Sequence, residues 1–154
     1  METLSGIIFN FTVDYTRSVE EMVKAGKYNW LDNNVIDRYP IPKGKLGQLE
    51  NISTELIHLN RLIYYEDAIK EIEKEGYRGA TAHETMVFGE KNLELQEEFP
   101  IFSLESVWQI EAYRAVLGLS CDYPSRSLFN YDLNGAFSIG GDFPAICRFL
   151  VVRK

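Results

Sequence analysis

The sequence predicts one α+β domain over residues 1–154, two to three helices packed on a mostly antiparallel sheet. Three observations carry that prediction. Apolar residues recur at helical spacing over residues 65–72, inside an otherwise charged stretch. From residue 101 onward they come in runs of strand length, punctuated by Gly, Asn, Asp and Pro. A chain of 154 residues can bury one core without disulfide or metal staples, and no internal repeat or low-complexity segment divides it.

The elements follow in order. Residues 6–15 (GIIFNFTVDY) are β-branched and aromatic. Ile7, Phe9, Phe11 and Val13 fall on one strand face, with Asn10, Thr12 and Asp14 on the other. Ser18 and Glu21 form a capping box for a short helix that turns Val19, Met22 and Val23 inward and that Gly26 stops. Residues 27–47 are a long connection, an ordered loop or an insertion, anchored by Tyr28, Trp30 and Tyr39 and broken by Pro40, Pro42, Gly44 and Gly47. Residues 49–62 read as a strand, with a helix as the alternative. Ile52, Thr54, Leu56 and His58 would share one face, opposite Ser53, Glu55, Ile57 and Leu59.

Tyr65, Ala68, Ile69 and Ile72 then make the buried stripe of a helix, and Gly76 supplies its left-handed end. Thr81 and Glu84 cap a second helix over residues 82–91, with Ala82, Met86 and Phe88 inward; Gly89 is either tolerated within it or breaks it. Leu95 and Phe99 mark one more helical turn before Pro100. Strands are expected over 101–109, 113–119, 127–133 and 146–153. Residues 120–144 carry two prolines and Gly135, Gly140 and Gly141, and read as an irregular, loop-rich surface.

Composition excludes several classes of function. With 16 basic and 23 acidic residues the net charge is −7, and no Lys/Arg cluster exceeds two neighbours, so the footprint of a nucleic-acid binder is missing. No apolar run approaches membrane-spanning length, and the opening METLSGIIFNF lacks the basic region of a signal peptide. Two cysteines, Cys121 and Cys147, are too few for a disulfide framework and read as free thiols in the cytoplasm.

Chemistry-bearing motifs are incomplete. His83-Glu84 opens like a zinc-protease HExxH, but residue 87 is Val, so His83 reads as a surface residue beside a cap. His58 is the only other histidine, and no spacing supplies a metal site or implies a cofactor. Cys147 reads as a small buried residue, Gly140-Gly141-Asp142 as a tight turn, and Trp30 and Trp108 as core anchors. Tyr113, Arg114, Tyr123, Arg126, Phe129, Tyr131 and Phe137 are the residue types that binding surfaces use, and packing is the competing role for them.

The order of helix, glycine, capped second helix, Trp-bearing strand and Cys-bearing last strand resembles the C-type lectin-like fold in its broad form, which includes ligand-binding domains diversified by bacterial retroelements. Ala68, Gly76, Ala80, Glu84, Val107-Trp108 and Cys147-Arg148-Phe149 carry the likeness, over residues 65–154. The ending CRFLVVRK is similar to that of uncharacterised bacterial proteins. The resemblance implies that the opening strand pairs with the last one. It implies no calcium-dependent sugar site, because the Glu-Pro-Asn or Gln-Pro-Asp loop and the Trp-Asn-Asp strand are absent.

The expected function is therefore a non-catalytic binding domain that meets a protein partner or other ligand through Tyr113, Arg114, Tyr123, Arg126, Phe129 and Tyr131. Two alternatives remain: a small acidic inhibitor of a host or defence enzyme from a mobile element, and an enzyme using carboxylates with His58 and His83.

Overall fold

A computed structural model describes residues 2–3, 7–32, 34–122, 124–134 and 142–154. In chain order its first half holds β1 (Glu2–Thr3), β2 (Phe9–Asp14), α1 (Val19–Ala25), β3 (Trp30–Leu31), α2 (Val35–Arg38), a 3-10 turn (Lys43–Lys45) and β4 (Leu49–His58). The second half holds α3 (Tyr65–Lys74), β5 (Tyr77–Gly79), α4 (Ala82–Lys91), α5 (Leu95–Glu98), β6 (Ile101–Ile110), β7 (Tyr113–Asp122), β8 (Ser125–Asp132) and β9 (Arg148–Arg153). The class is α+β, as expected: helices on a mostly antiparallel sheet, with parallel pairing among the described residues between β6 and β9 and between β3 and β8.

The alternation in LENISTELIH makes β4 a strand rather than a helix, and its ten residues give it length for partners on both edges. One edge pairs with β2 (Phe9↔Thr54 to Asp14↔Leu49) and β1, the other with β9 (Thr54↔Val152 to Ile57↔Phe149). The implied pairing of opening and final strands is thus corrected: β4 lies between them. From β9 the sheet continues through β6, β7 and β8 to β3.

Period-two alternation sends successive side chains to opposite faces, so one sheet serves two cores. Ile52, Leu56, Leu117, Leu119, Leu128 and Leu150 pack beneath Met22 and Val23 of α1, Val35 of α2 and Met86–Phe88 of α4. Ile57, Val116, Phe149 and Val151 face the other way, against Ala68 and Ile72 of α3 and against Phe143. Being enclosed between sheet and α1, α4 buries every residue from Ala82 to Gly89, more than the three expected.

Both capping boxes form. Ser18 Oγ accepts from Glu21 N at 3.1 Å, and Thr81 Oγ1 accepts from Glu84 N at 3.1 Å, with each glutamate returning to its cap amide. Gly76 takes the left-handed conformation (φ 86) just past α3, and Gly89 lies within α4 without breaking it. At the end of α1 the left-handed residue is Lys27 (φ 53), one beyond Gly26. Gly26 is needed for a different reason: a Cβ there would meet the Tyr28 ring at 2.2 Å.

Two expectations about irregular segments change. The 27–47 connection contains β3 and α2, because Asn29, Trp30, Leu31 and Asp32 are drawn onto the edge of β8 by main-chain hydrogen bonds. Residues 120–132 are largely regular: β7 runs to Asp122 and β8 starts at Ser125, in continuous register from Ala115↔Asp132 to Asp122↔Ser125. Pro124 sits at the hairpin turn, where its missing N–H disrupts no ladder. Residues 135–141, with Phe137, Gly135, Gly140 and Gly141, lie outside the described residues.

Candidate binding site

The hairpin β7–β8 carries most of the expected site, and its alternation separates the residues. Arg126 faces the α1/α4 side and is buried, 7% exposed. Its guanidinium donates to the carbonyls of Gly26 (2.6 Å), Lys27 (3.4 Å), Leu93 (3.0 Å) and Gly89 (3.2 Å) and to Gln96 Oε1 (2.7 Å), and lies over the Tyr28 ring at 5.0 Å. These carbonyls belong to the C-terminal ends of α1 and α4, where the helix dipole is negative. Arg126 therefore joins two helix ends and is not a surface contact, which corrects the expectation.

Arg114 points to the opposite face, where its Nη1 meets Glu66 Oε1 of α3 at 2.9 Å and its guanidinium stands 5.6 Å from the Tyr65 ring. Phe129 and Tyr131 share that face and pack in an aromatic cluster. Tyr131 stacks on Phe143 (5.2 Å, 21°) and meets Phe102 at 4.8 Å; Phe129 meets Phe102 edge-on at 5.9 Å. The Tyr131 hydroxyl donates to the main-chain carbonyl of Asp142. Tyr123 lies outside the described residues.

Tyr113, Phe129 and Tyr131 come together at one place. Together with Asp32, Arg38, Asn130 and Asp132 they line a cavity of about 390 Å³ at the outer edge of β8. The cavity exists because β3 is two residues long and covers only Ser127 and Leu128. Beyond it Asp32 substitutes for a strand: its N–H donates to the Leu128 carbonyl at 3.0 Å, and its Oδ2 accepts from the Asn130 N–H at 3.3 Å. On one wall the Arg38 guanidinium lies 4.2 Å from the Trp108 ring centre and 5.5 Å from that of Tyr113, and the two rings meet edge-on at 5.5 Å.

Polar groups around this cavity are under-used. Both Nδ2 and Oδ1 of Asn130 are shielded from solvent and have no hydrogen-bond partner among the described residues. The Tyr39 hydroxyl, on a residue 3% exposed, has none either. Burial pushes the Tyr39 hydroxyl well above the ordinary tyrosine range; the Arg38 cation opposes this, and Tyr113 and Asp32 add to it. Buried polar atoms without partners cost roughly 1–3 kcal/mol each. Sequence reasoning missed Asp32, Arg38 and Asn130 and took Tyr39 only as an anchor of the 27–47 connection, because Asp32 and Arg38 reach β8 only through tertiary pairing. The Asp-Asn-Asn run after Trp30 was the one available signal.

The remaining candidates separate. His83 is not a surface residue: it is 3% exposed, pairs through Nε2 with the Tyr39 carbonyl at 2.9 Å, and meets the Tyr15 ring at 6.0 Å. It is buried because α4 lies between the sheet and α1, with the Tyr39 main chain and Tyr15 closing over the ring. His58 Nε2 pairs with the Ala145 carbonyl at 2.9 Å, so the two histidines serve different parts of the molecule. Cys147 is 2% exposed, and burial pushes its thiol up to about 12. Trp30 is 53% exposed at the sheet edge rather than a core anchor, while Trp108 is half-buried beneath Arg38. Among the described residues no group of three or more His, Cys, Asp or Glu is placed to hold a metal ion, and no helix is long and apolar enough to cross a membrane. In comparisons with known proteins, no family model, curated protein or solved structure matches this chain.

Proposed function

We propose that this chain is a non-catalytic binding domain that engages a segment of a protein partner at the cavity beside β8. The carrying observation is the Asn130 amide, with donor and acceptor both unpartnered among the described residues behind an aromatic opening rimmed by Asp32 and Asp132. A primary amide pairs with a peptide group in two hydrogen bonds, so a side-chain rotation toward the cavity would exchange an unsatisfied group for a satisfied one. Tyr113, held edge-on against Trp108, supplies rigid contact area of the kind that dominates binding energies. Asp32, Asp132 and Arg38 place both signs of charge on the rim, which suits a polar peptide segment. Free Cys121 and Cys147 support a reducing compartment such as the cytoplasm.

The test is affinity capture with the wild-type chain and with Tyr113→Ala/Asn130→Ala. Partners retained by the wild type and lost by a variant that still melts cooperatively support the reading. Equal capture by the two proteins overturns it.

A further inference from the structure

The opposite end of the sheet carries a second open edge, on β2. Tyr15 N–H donates to the Gln48 carbonyl and Gly47 N–H to the Tyr15 carbonyl, so the odd-numbered residues of this strand turn their main-chain groups toward β4. Alternation then turns those of Asn10 and Thr12 outward, where no strand pairs among the described residues. The edge has none of the devices that blunt exposed strands: residues 9–13 hold no proline, no charge and no bulge. Ile7 and Ile8, 50% and 55% exposed, lead into it. A groove of about 510 Å³ runs alongside, lined by Phe9–Thr12 and by Lys91 and Asn92 from the end of α4.

We propose that this edge pairs with the same edge of a second copy of the chain, antiparallel about a two-fold axis at Phe11. The register is dictated by which groups face out. Asn10 falls opposite Thr12 of the second copy and Thr12 opposite its Asn10, giving two pairs that each exchange two N–H···O bonds. Phe11 meets its own counterpart at the non-hydrogen-bonded position, where side chains come closest. The side chains agree with this register. Within one copy Ser53 Oγ bonds Asn10 Oδ1 at 2.6 Å and Thr12 Oγ1 bonds Asn51 Oδ1 at 2.7 Å on the exposed face. The pairing extends these into two continuous polar rungs, Ser53–Asn10–Thr12–Asn51, across the axis. It also lays exposed Ile8 and Ile7 beside Asp14 and Tyr15 of the second copy. Charge permits the approach at this edge: each copy carries −7 overall, yet among the described residues that line the groove Lys91 alone is charged. An isologous contact of this kind closes at two copies.

Sedimentation of the full chain from micromolar to submillimolar concentration, with amide exchange at both ends of that range, tests the proposal. The expected result is a monomer–dimer equilibrium in which the Asn10 and Thr12 amides exchange fast when dilute and become protected as dimer forms. Thr12→Pro removes an outward donor that the monomer does not use, and Asn10→Lys/Thr12→Lys sets like charges against each other; each variant is expected to lose the dimer while melting cooperatively. A wild-type chain that stays monomeric over the whole range overturns the proposal. So does a dimer in which the Asn10 and Thr12 amides stay unprotected, whether or not either variant folds.

Discussion

The guanidinium of Arg126 lies 2.6 Å from the carbonyl oxygen of Gly26, a residue one hundred positions earlier in the chain. With its bonds to Gly89, Leu93 and Gln96, this contact ties the ends of α1 and α4 to β8. Among the described residues its acceptors are main-chain carbonyls and the Gln96 amide oxygen rather than a carboxylate, so dipoles at the helix ends hold the charge.

Arg126→Met is expected to destabilise the fold by about 3–5 kcal/mol, because several buried acceptors lose their donor together. Lysine keeps the charge but not the fork and is expected to recover less than half of that loss. Urea unfolding of the three proteins measures both.

Ser18→Ala and Glu84→Ala separate an exposed cap from a buried one. The first removes a surface cap and is expected to cost about 1 kcal/mol. The second also strips Arg78, to which the Glu84 carboxylate, 1% exposed, bonds through both oxygens at 2.9 Å. Its loss is expected to be larger, about 2–4 kcal/mol, in the same unfolding measurement.

His83 gives a pH dependence with a definite sign. Burial holds its folded-state pKa below the ordinary 6.5, despite opposing contributions from the Tyr39 carbonyl and Glu84. As pH falls through 6.5 the unfolded chain takes up a proton that the folded chain refuses, so this stability is present above 6.5 and lost below it. His83→Gln is expected to flatten that part of the stability–pH curve, read as the difference in melting temperature between the proteins at neutral and mildly acidic pH.

The two thiols should react at different rates. Cys147 is 2% exposed with its thiol pushed up to about 12, whereas Cys121 is half-exposed at the end of β7. A thiol reagent is expected to modify Cys121 in the native protein and Cys147 only as fast as the chain unfolds, with both reacting at once in urea.

At the cavity, Arg38→Ala is expected to cost about 0.5–1 kcal/mol through the lost contact over Trp108, with a red shift of the Trp108 emission and little other change. Trp30, already 53% exposed, should contribute an unchanged signal.

Local chemistry was legible wherever it depended on neighbours in sequence. Ser18 with Glu21, Thr81 with Glu84 and Gly76 after a charged turn mark helix ends, because a cap is satisfied within four residues. The alternation of 49–58 separated its two faces, whereas for the strands after Pro100 only the ranges were legible, and β7 is buried on both faces over Ala115–Leu119. His83, Trp30 and Arg126 were misread because exposure is decided by what packs on an element, and a short motif carries no record of that.

The sequence by itself determined the α+β class, the capped helices with their inward-facing residues and the existence of the long strands, since periodicity and capping are short-range and one face of each element must leave water. Only the tertiary structure decided that β4 separates the opening and closing strands, that residues 29–32 end the sheet at β8, and that the Asn130 amide and the Tyr39 hydroxyl are buried without a partner among the described residues. Those pairings join segments 35 to 56 residues apart for β1 and β2 with β4, and about one hundred residues apart for β4 with β9 and β3 with β8. Many alternative registers satisfy the same local pattern, and the shared burial of both cores selects one.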